Sequence, residues 1–367
     1  MYTVALFGAG KIGDAITALL SASGRYTIKV CDQDPARAAK IADGRKNASG
    51  HGLKLQDSKS TKELLKGSNA VISALPFHCN KEVATIAHEM GIHYLDLTED
   101  VATSQFIATL AQTGSSCFMP QCGLAPGFIS IAAHHLVKMF EKVETVKMRV
   151  GALPIYPTNR LKYNLTWSTE GLINEYANAC EIIQGGKRVW VVPLEGYESF
   201  SLDGNEYESF NTSGGLGTLC ATLDGKVKDL NYKSVRYPGH RELMLFLMKD
   251  LGFENDRDAL RVIFERSIPT TTQDKCVILV EASGLRNGRF EQKTYASTVY
   301  NQSVNGQHFG AIQVTTASGI CAPLDILLSG KLGNKRGLVR IEEVLLTDFL
   351  ANEFGRYYRD DKALGSL

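Results

Sequence analysis

Net charge is what this sequence has least of. Its 367 residues carry 40 Lys+Arg against 39 Asp+Glu, a formal charge of +1. No long-range field is left to recruit nucleic acid or an acidic membrane face, and no basic run is interleaved with aromatics. A small molecule is therefore the expected partner, with neither nucleic acid nor membrane. No basic segment precedes the first apolar run, Thr3-Val4-Ala5-Leu6-Phe7-Gly8, and no small-residue cleavage site follows it, so the N-terminus reads as a first strand. No apolar stretch approaches the ~18 residues that span a bilayer. The eight cysteines form no C-x-x-C pair and mostly sit in apolar runs such as Lys29-Val30-Cys31, which predicts buried, reduced thiols and a cytoplasmic location. Metal-ligand spacing is absent too: His134 and His135 would point to different helix faces, and no metal is expected. What remains is ordinary globular composition, 44% hydrophobic and 22% charged, long enough for two domains at ~150 residues each.

Strands and helices alternate through the first third. Residues 3–8 form an apolar run, followed by Ile12, Ala15, Ile16, Leu19 and Leu20 at helical spacing up to Gly24. Thr27–Cys31 reads as a second strand ending at Asp32, and Asp34-Pro35 opens the next helix as cap and first turn. A third strand is expected near Leu53–Gln56. Ala70–Leu75 is the kind of continuous apolar run that a parallel sheet buries on both faces. Helices at 81–90 and 101–112 lead to strands at Tyr94–Leu97 and Cys117–Met119. This rhythm predicts a doubly wound α/β sheet.

The rhythm changes after Pro126-Gly127. A helix over 128–140 precedes a half-buried strand in which Val146, Met148 and Val150 alternate with charged residues. Extended segments at 275–282 and 290–300 flank Asn287-Gly288, a hairpin turn. Apolar helical runs at 311–329 and 340–352 are expected to return to the first domain. The fold class is thus α/β: a Rossmann domain (1–127 and 311–367) plus an α+β domain (128–310) with a mainly antiparallel sheet.

The segment Gly8-Ala9-Gly10-Lys11-Ile12-Gly13 follows a strand, opens a helix, and lies the right distance before Asp32. Gly8 makes the tight turn, Gly10 admits a pyrophosphate to the backbone, and Gly13 lets helix pack on strand. The helix N-terminus offers its N–H groups and partial positive charge. Asp32 would bind ribose hydroxyls and repel a 2′-phosphate, and Gln33 and Asp34 follow it with no arginine, so NAD is the expected cofactor. Ser73, Leu75 and Pro76, ending the fourth strand, would flank it.

Four polar clusters stand out: Tyr94-Leu95-Asp96-Leu97-Thr98-Glu99, Gly123-Leu124-Ala125-Pro126-Gly127, Leu161 through Gly171, and Arg236-Tyr237-Pro238-Gly239-His240. With the glycine fingerprint, they resemble the saccharopine dehydrogenase-like family over essentially the whole chain, and within it the lysine 6-dehydrogenases. The resemblance implies NAD-dependent oxidation of the lysine ε-carbon–nitrogen bond, giving a semialdehyde that cyclises to 1-piperideine-6-carboxylate. It also implies a homodimer. Two departures bear on the substrate: Ala125-Pro126-Gly127 stands where glutamate-forming members read D-P-G, and Glu170 stands where they carry a basic residue. Glu170, followed by Glu175, suits an ammonium better than a third carboxylate. Glutamate-forming saccharopine oxidation, a related opine-type reduction and a silent NAD-binding sensor are the alternatives.

The amine must lose a proton before hydride can leave, and lysine's unperturbed pKa is ~10.4. Asp96 and Glu99 are the candidate base or ammonium anchor, and Arg236 is the candidate carboxylate clamp. His240 and Tyr163 could assist proton transfer. Each has a plainer reading. Asp96 could cap the next helix, Arg236 could sit in an ion pair, His240 could simply begin a helix, and Trp167 could be a packed wall.

Overall fold

The computed structural model describes residues 1–359, and it clusters into two compact units. The first comprises Met1–Ile131, Ser303–His308 and Gln313–Tyr357; the second comprises Ala132–Gln302 and Phe309–Ile312, resuming at Tyr358. The part of the expected 311–367 segment beyond Arg359 lies outside the described residues.

The first unit is built on β1 (Tyr2–Phe7), α1 (Lys11–Ala22), β2 (Tyr26–Asp32), α2 (Pro35–Ala42), β3 (Ala48–Gly52), α3 (Ser58–Leu65), β4 (Ala70–Ser73), α4 (Asn80–Met90), β5 (His93–Asp96), α5 (Val101–Ala111) and β6 (Cys117–Met119). All strands pair in parallel in the order 3-2-1-4-5-6, and a two-residue strand, Gly337–Leu338, adds beyond β6. Every residue of β4 is buried, as its unbroken apolar run requires. The strand order reverses between β1 and β4, where fold physics places ligands beyond the strands' carboxyl ends. Asp34 caps α2, accepting from Ala36 N and Arg37 N, with Pro35 in its first turn.

Two expectations shift. The third strand runs over Ala48–Gly52, and 53–56 is loop with Leu55 buried. The strand needs Gly50 and Gly52: a Cβ on Gly50 would lie 2.5 Å from Ala39 N, and one on Gly52 would lie 2.7 Å from Pro35 Cβ. The helix expected over 340–352 is a single 3-10 turn at Ile341–Glu343, then a short helix at Leu346–Ala351. Glu343 Oε1 accepts the Arg340 N–H at 3.0 Å and closes that turn on itself.

α6 (Phe128–Val137) leads into the second unit. Its sheet contains β7 (Lys142–Pro154), β8 (Cys180–Gln184), β9 (Lys187–Val191), β10 (Glu198–Leu202), β11 (Asn205–Asn211), β12 (Asp229–Arg236), β13 (Asp274–Arg286) and β14 (Arg289–Tyr300). The order is β10-β11-β12-β7-β13-β14, with β8 and β9 attached beside β12. Pairing is antiparallel except between β12 and β7, so the sheet is mixed. The Asn287-Gly288 turn joins β13 to β14 with φ of 53° and 72°, the left-handed pair that a two-residue hairpin needs. Helices α7 (Thr169–Ala177), α8 (Leu219–Leu223), α9 (His240–Leu245) and α10 (Arg257–Ser267) complete the unit.

α11 (Ala311–Leu328) corrects the expectation about apolar stretches. Its 18 residues are long and apolar enough to cross a membrane by length and composition, but 78% of that window is buried inside the protein. Thr315, Ser318 and Asp325 interrupt the run and hide it from a search for unbroken apolar residues. Asp325 accepts from the Tyr26 hydroxyl and from Asn352 Nδ2, as a core helix of the first unit should.

Candidate active site

The glycine-rich turn sits at the carboxyl end of β1. Gly8 has φ +107°, and a Cβ there would lie 2.7 Å from Ala74 O, so only glycine closes the turn. A Cβ on Gly13 would lie 1.9 Å from Gly8 O, which fixes how closely α1 packs on the turn. Gly10 differs: a Cβ there would meet no protein atom within 4 Å. Nothing in the protein's own packing demands glycine at that position, while a pyrophosphate lying against the backbone would. Gly10 caps α1 without a side-chain bond, leaving the helix's first N–H groups to face an anion. Asp32, half-buried at the end of β2, accepts from Ala9 N at 2.7 Å and Asp34 N at 2.9 Å. Its carboxylate therefore ties the turn to the second strand. Lys11 is exposed and Ile12 half-buried in the first turn of α1. Ser73 donates to Asn80 Oδ1 at 2.7 Å, which anchors β4 to α4, and Leu75 and Pro76 follow on the same edge. These residues fit a dinucleotide.

Asp96 ends β5 on that edge with no exposed surface. Its Oδ1 accepts from Thr98 N at 3.0 Å and Gln121 N at 2.9 Å, and its Oδ2 from the Tyr94 hydroxyl at 2.8 Å. Burial pushes its carboxyl up to about 6 against these three donors. The sequence could not show that Asp96 welds β5 to the 121–127 loop, because Gln121 lies 25 residues away. α5 is capped by Asp100, which accepts from Thr103 N, so neither Asp96 nor Thr98 is that helix's cap. Glu99 is half-buried, three residues beyond Asp96.

In the second unit the structure brings Tyr163, Trp167, Arg236 and His240 together. Arg236 ends β12, 3% exposed, with its guanidinium carbon 5.1 Å from the Tyr163 ring centre and 5.6 Å from that of Tyr176. Its Nε donates to the Tyr176 hydroxyl at 2.7 Å and its Nη1 to Val235 O at 2.8 Å; Nη2 lies 4.0 Å from Glu175 Oε2. Burial works against its charge, but the Tyr176 and Tyr163 hydroxyls and Glu175 outweigh it, so the guanidinium stays protonated. His240 is 1% exposed, with Nε2 3.0 Å from the Tyr176 hydroxyl and Nδ1 2.7 Å from Leu161 O. Burial and Arg236 push its pKa down to about 3, which keeps it neutral. His240 does begin α9, but as a buried side chain with both ring nitrogens engaged. Trp167 donates from Nε1 to the Tyr163 hydroxyl at 3.0 Å. Sequence reasoning missed Tyr176, which sits among apolar residues of α7 at helical spacing and reads as core.

Glu170 is not among the buried residues of this group. It is exposed in the first turn of α7, where Ser168 caps by accepting from Gly171 N. With Trp167, Asn174, Glu254, Arg257 and Arg261 it lines a cavity of about 830 Å³.

Two family models match this chain. The sequence model of the saccharopine dehydrogenase NADP binding domain matches residues 4–119, and that of the saccharopine dehydrogenase C-terminal domain matches residues 123–356. The apo saccharopine dehydrogenase (L-Glu forming) of Saccharomyces cerevisiae superposes with a TM-score of 0.77 at 16% identity, covering 93% of this chain and 94% of that one. At that identity the likeness shows the fold. A quinate/shikimate dehydrogenase (NAD(+)) of Corynebacterium efficiens is 35% identical over 80 residues, which span 21% of this chain and only 27% of that protein. With family models over both units, a shared fold, and a dinucleotide turn in place, this chain belongs to the saccharopine dehydrogenase-like family of nicotinamide-dependent oxidoreductases.

Proposed function

We propose that the protein oxidises L-lysine at its 6-amino group with NAD, giving the semialdehyde that closes to 1-piperideine-6-carboxylate. The observation that carries this reading is the buried pair of Arg236 and Glu175, with Nη2 4.0 Å from Oε2, beside a neutral His240. That pair matches the carboxylate and ammonium of a single α-amino-acid head. Saccharopine carries two further carboxylates that would need cations of their own. The opposing reading, saccharopine oxidation, draws on the family and on Glu170, whose exposed position weakens its role as an ammonium site.

NAD is preferred over NADP because Asp32 presents negative charge where a 2′-phosphate would sit, and the nearby Arg37 is paired with Asp34 at 3.3 Å. A nicotinamide dinucleotide held by the Gly8–Gly13 turn and Asp32 would supply the hydride acceptor. Arg236 holds the α-carboxylate through its Nη groups. Glu99, half-buried three residues beyond Asp96, is the proposed proton acceptor for the substrate ammonium, and Asp96 fixes the segment beside it through its bonds to Thr98 N and Gln121 N. Water then hydrolyses the imine and releases ammonia. A cytoplasmic homodimer completes the reading.

Following NADH formation with lysine, saccharopine and no substrate, with each cofactor, tests it. Lysine with NAD is expected to give the highest kcat/KM. Faster turnover of saccharopine would reject the substrate, and equal use of NADP would reject the role of Asp32. Dinucleotide binding without any turnover would point to a sensor.

A further inference from the structure

The polar atoms behind Arg236 can be arranged in only one direction. The Leu161 carbonyl can only accept, so His240 Nδ1, 2.7 Å away, carries the proton. Neutral His240 then presents a lone pair at Nε2, and the Tyr176 hydroxyl, 3.0 Å away, must donate to it. Having donated there, the Tyr176 oxygen is the acceptor for the Nε–H of Arg236 at 2.7 Å. One Nη1–H is taken by Val235 O, and the Tyr163 and Tyr176 rings hold the guanidinium carbon at 5.1 and 5.6 Å. That leaves the Nη2 edge, which lies 4.0 Å from Glu175 Oε2.

We propose that Tyr176 is a positioning residue for recognition of the substrate carboxylate: through a one-way chain of donors from Arg236 to Tyr176 to His240 to the Leu161 carbonyl, it sets the guanidinium so that its Nη edge takes the α-carboxylate of an amino acid. The proposal rests on Arg236 being the carboxylate clamp of the proposed reaction. Tyr176 touches neither reacting bond nor cofactor in this role. Its hydroxyl spends Nε, the one donor that would let the fork swing to a different edge, and His240 keeps that hydroxyl pointed away from Arg236.

The test compares Tyr176→Phe, His240→Leu and His240→Gln with the unaltered protein. Tyr176→Phe deletes one oxygen and is expected to raise KM for lysine on the order of tenfold, the scale of one lost hydrogen bond to a charged group, while kcat and KM for NAD stay within about twofold. His240→Leu should do the same. His240→Gln, which keeps an acceptor for the Tyr176 hydroxyl, should recover most of the loss. Pentane-1,5-diamine, which is lysine without its carboxylate, should show no change in KM between Tyr176→Phe and the unaltered protein. A general packing defect would raise both KM values together, and that result overturns the proposal. If the unaltered protein oxidises neither lysine nor saccharopine, the proposed reaction fails separately. The positioning chain is then read by nitrogen-15 NMR: His240 should appear protonated at Nδ1 with a hydrogen-bonded Nε2 lone pair whose resonance moves in Tyr176→Phe. An Nε2-protonated His240, or a resonance that does not move, overturns the chain.

Discussion

Asp96 and His240 are both shut away from water, yet their contributions to stability respond to pH in opposite ways. The carboxyl of Asp96 titrates near 6, above the ~3.9 of an exposed aspartate. The folded protein therefore keeps that proton where the unfolded chain has lost it, and stability falls as pH rises from about 4 to about 6, then levels. His240, pushed down to about 3, works the other way: its contribution is present above about 6.5 and is lost as pH falls toward 3. Asp96→Asn can keep the Oδ1 bonds and offer an amide N–H to the Tyr94 oxygen, so it should fold. The difference between its melting temperature and that of the unaltered protein should move in the variant's favour between pH 4 and 6 and stay constant above. A flat difference would place the carboxyl of Asp96 at an ordinary value. Glu99→Gln is expected to lower kcat by 10²–10⁴-fold, the usual worth of a general base, and to move the pH optimum upward; an unchanged profile would return the role to another group. That the Y-x-D, W-S and R-Y-P-G-H clusters stand out was legible at this scale, because they are too polar for simple core, and the structure brings Tyr163, Trp167, Arg236 and His240 together. How their hydrogen bonds are spent was not, since for each the joining bond runs to an atom far along the chain: Gln121 to Asp96, Leu161 to His240, Tyr176 to Arg236.

At the scale of elements, the glycine turn separates packing from binding. Gly13→Ala puts a Cβ 1.9 Å from Gly8 O, which no side-chain rotation relieves. It should cost about 1–3 kcal/mol of stability and lower dinucleotide affinity as the turn shifts. Gly10→Val meets no protein atom at its Cβ, so its melting temperature should change little while NAD binding is lost. Calorimetric titration with NAD alongside thermal melts distinguishes the two, and equal destabilisation by both would mean that the turn serves packing alone. Strongly periodic elements, α1, α2 and β4, were legible from spacing and caps. β3 was not, because its glycines answer to the α2 backbone beneath them, a contact invisible to local pattern. The 340–352 segment has the apolar residues of a helix, but Glu343 closes its first turn and Val344 and Leu345 stay extended.

The whole molecule divides its chain unevenly. The first unit takes the N-terminal residues through Ile131 and then waits for Gln313–Tyr357. Those late residues are not decoration: α11 buries 78% of its apolar window, and the Phe349 and Phe128 ring centres lie 5.1 Å apart. A fragment ending at Ile131 should therefore expose apolar surface, bind a hydrophobic dye and fail to melt cooperatively. Cooperative melting of that fragment, read by circular dichroism, would show that the return is dispensable. Strand–helix alternation made the doubly wound sheet legible; the parallel β7–β12 pair was not, because the two strands are separated by β8 through β11.

The same division has a consequence for birth on the ribosome. Roughly 180 residues separate Ile131 from Gln313, and at about 5–20 residues per second their synthesis takes roughly ten to forty seconds. For that interval the dinucleotide turn is already translated but the surface that α11 will cover is bare. The second unit, nearly continuous in sequence, can close first. Nascent chains stalled before Gln313 should thus be the ones that chaperones hold, and NAD should protect only chains released beyond it.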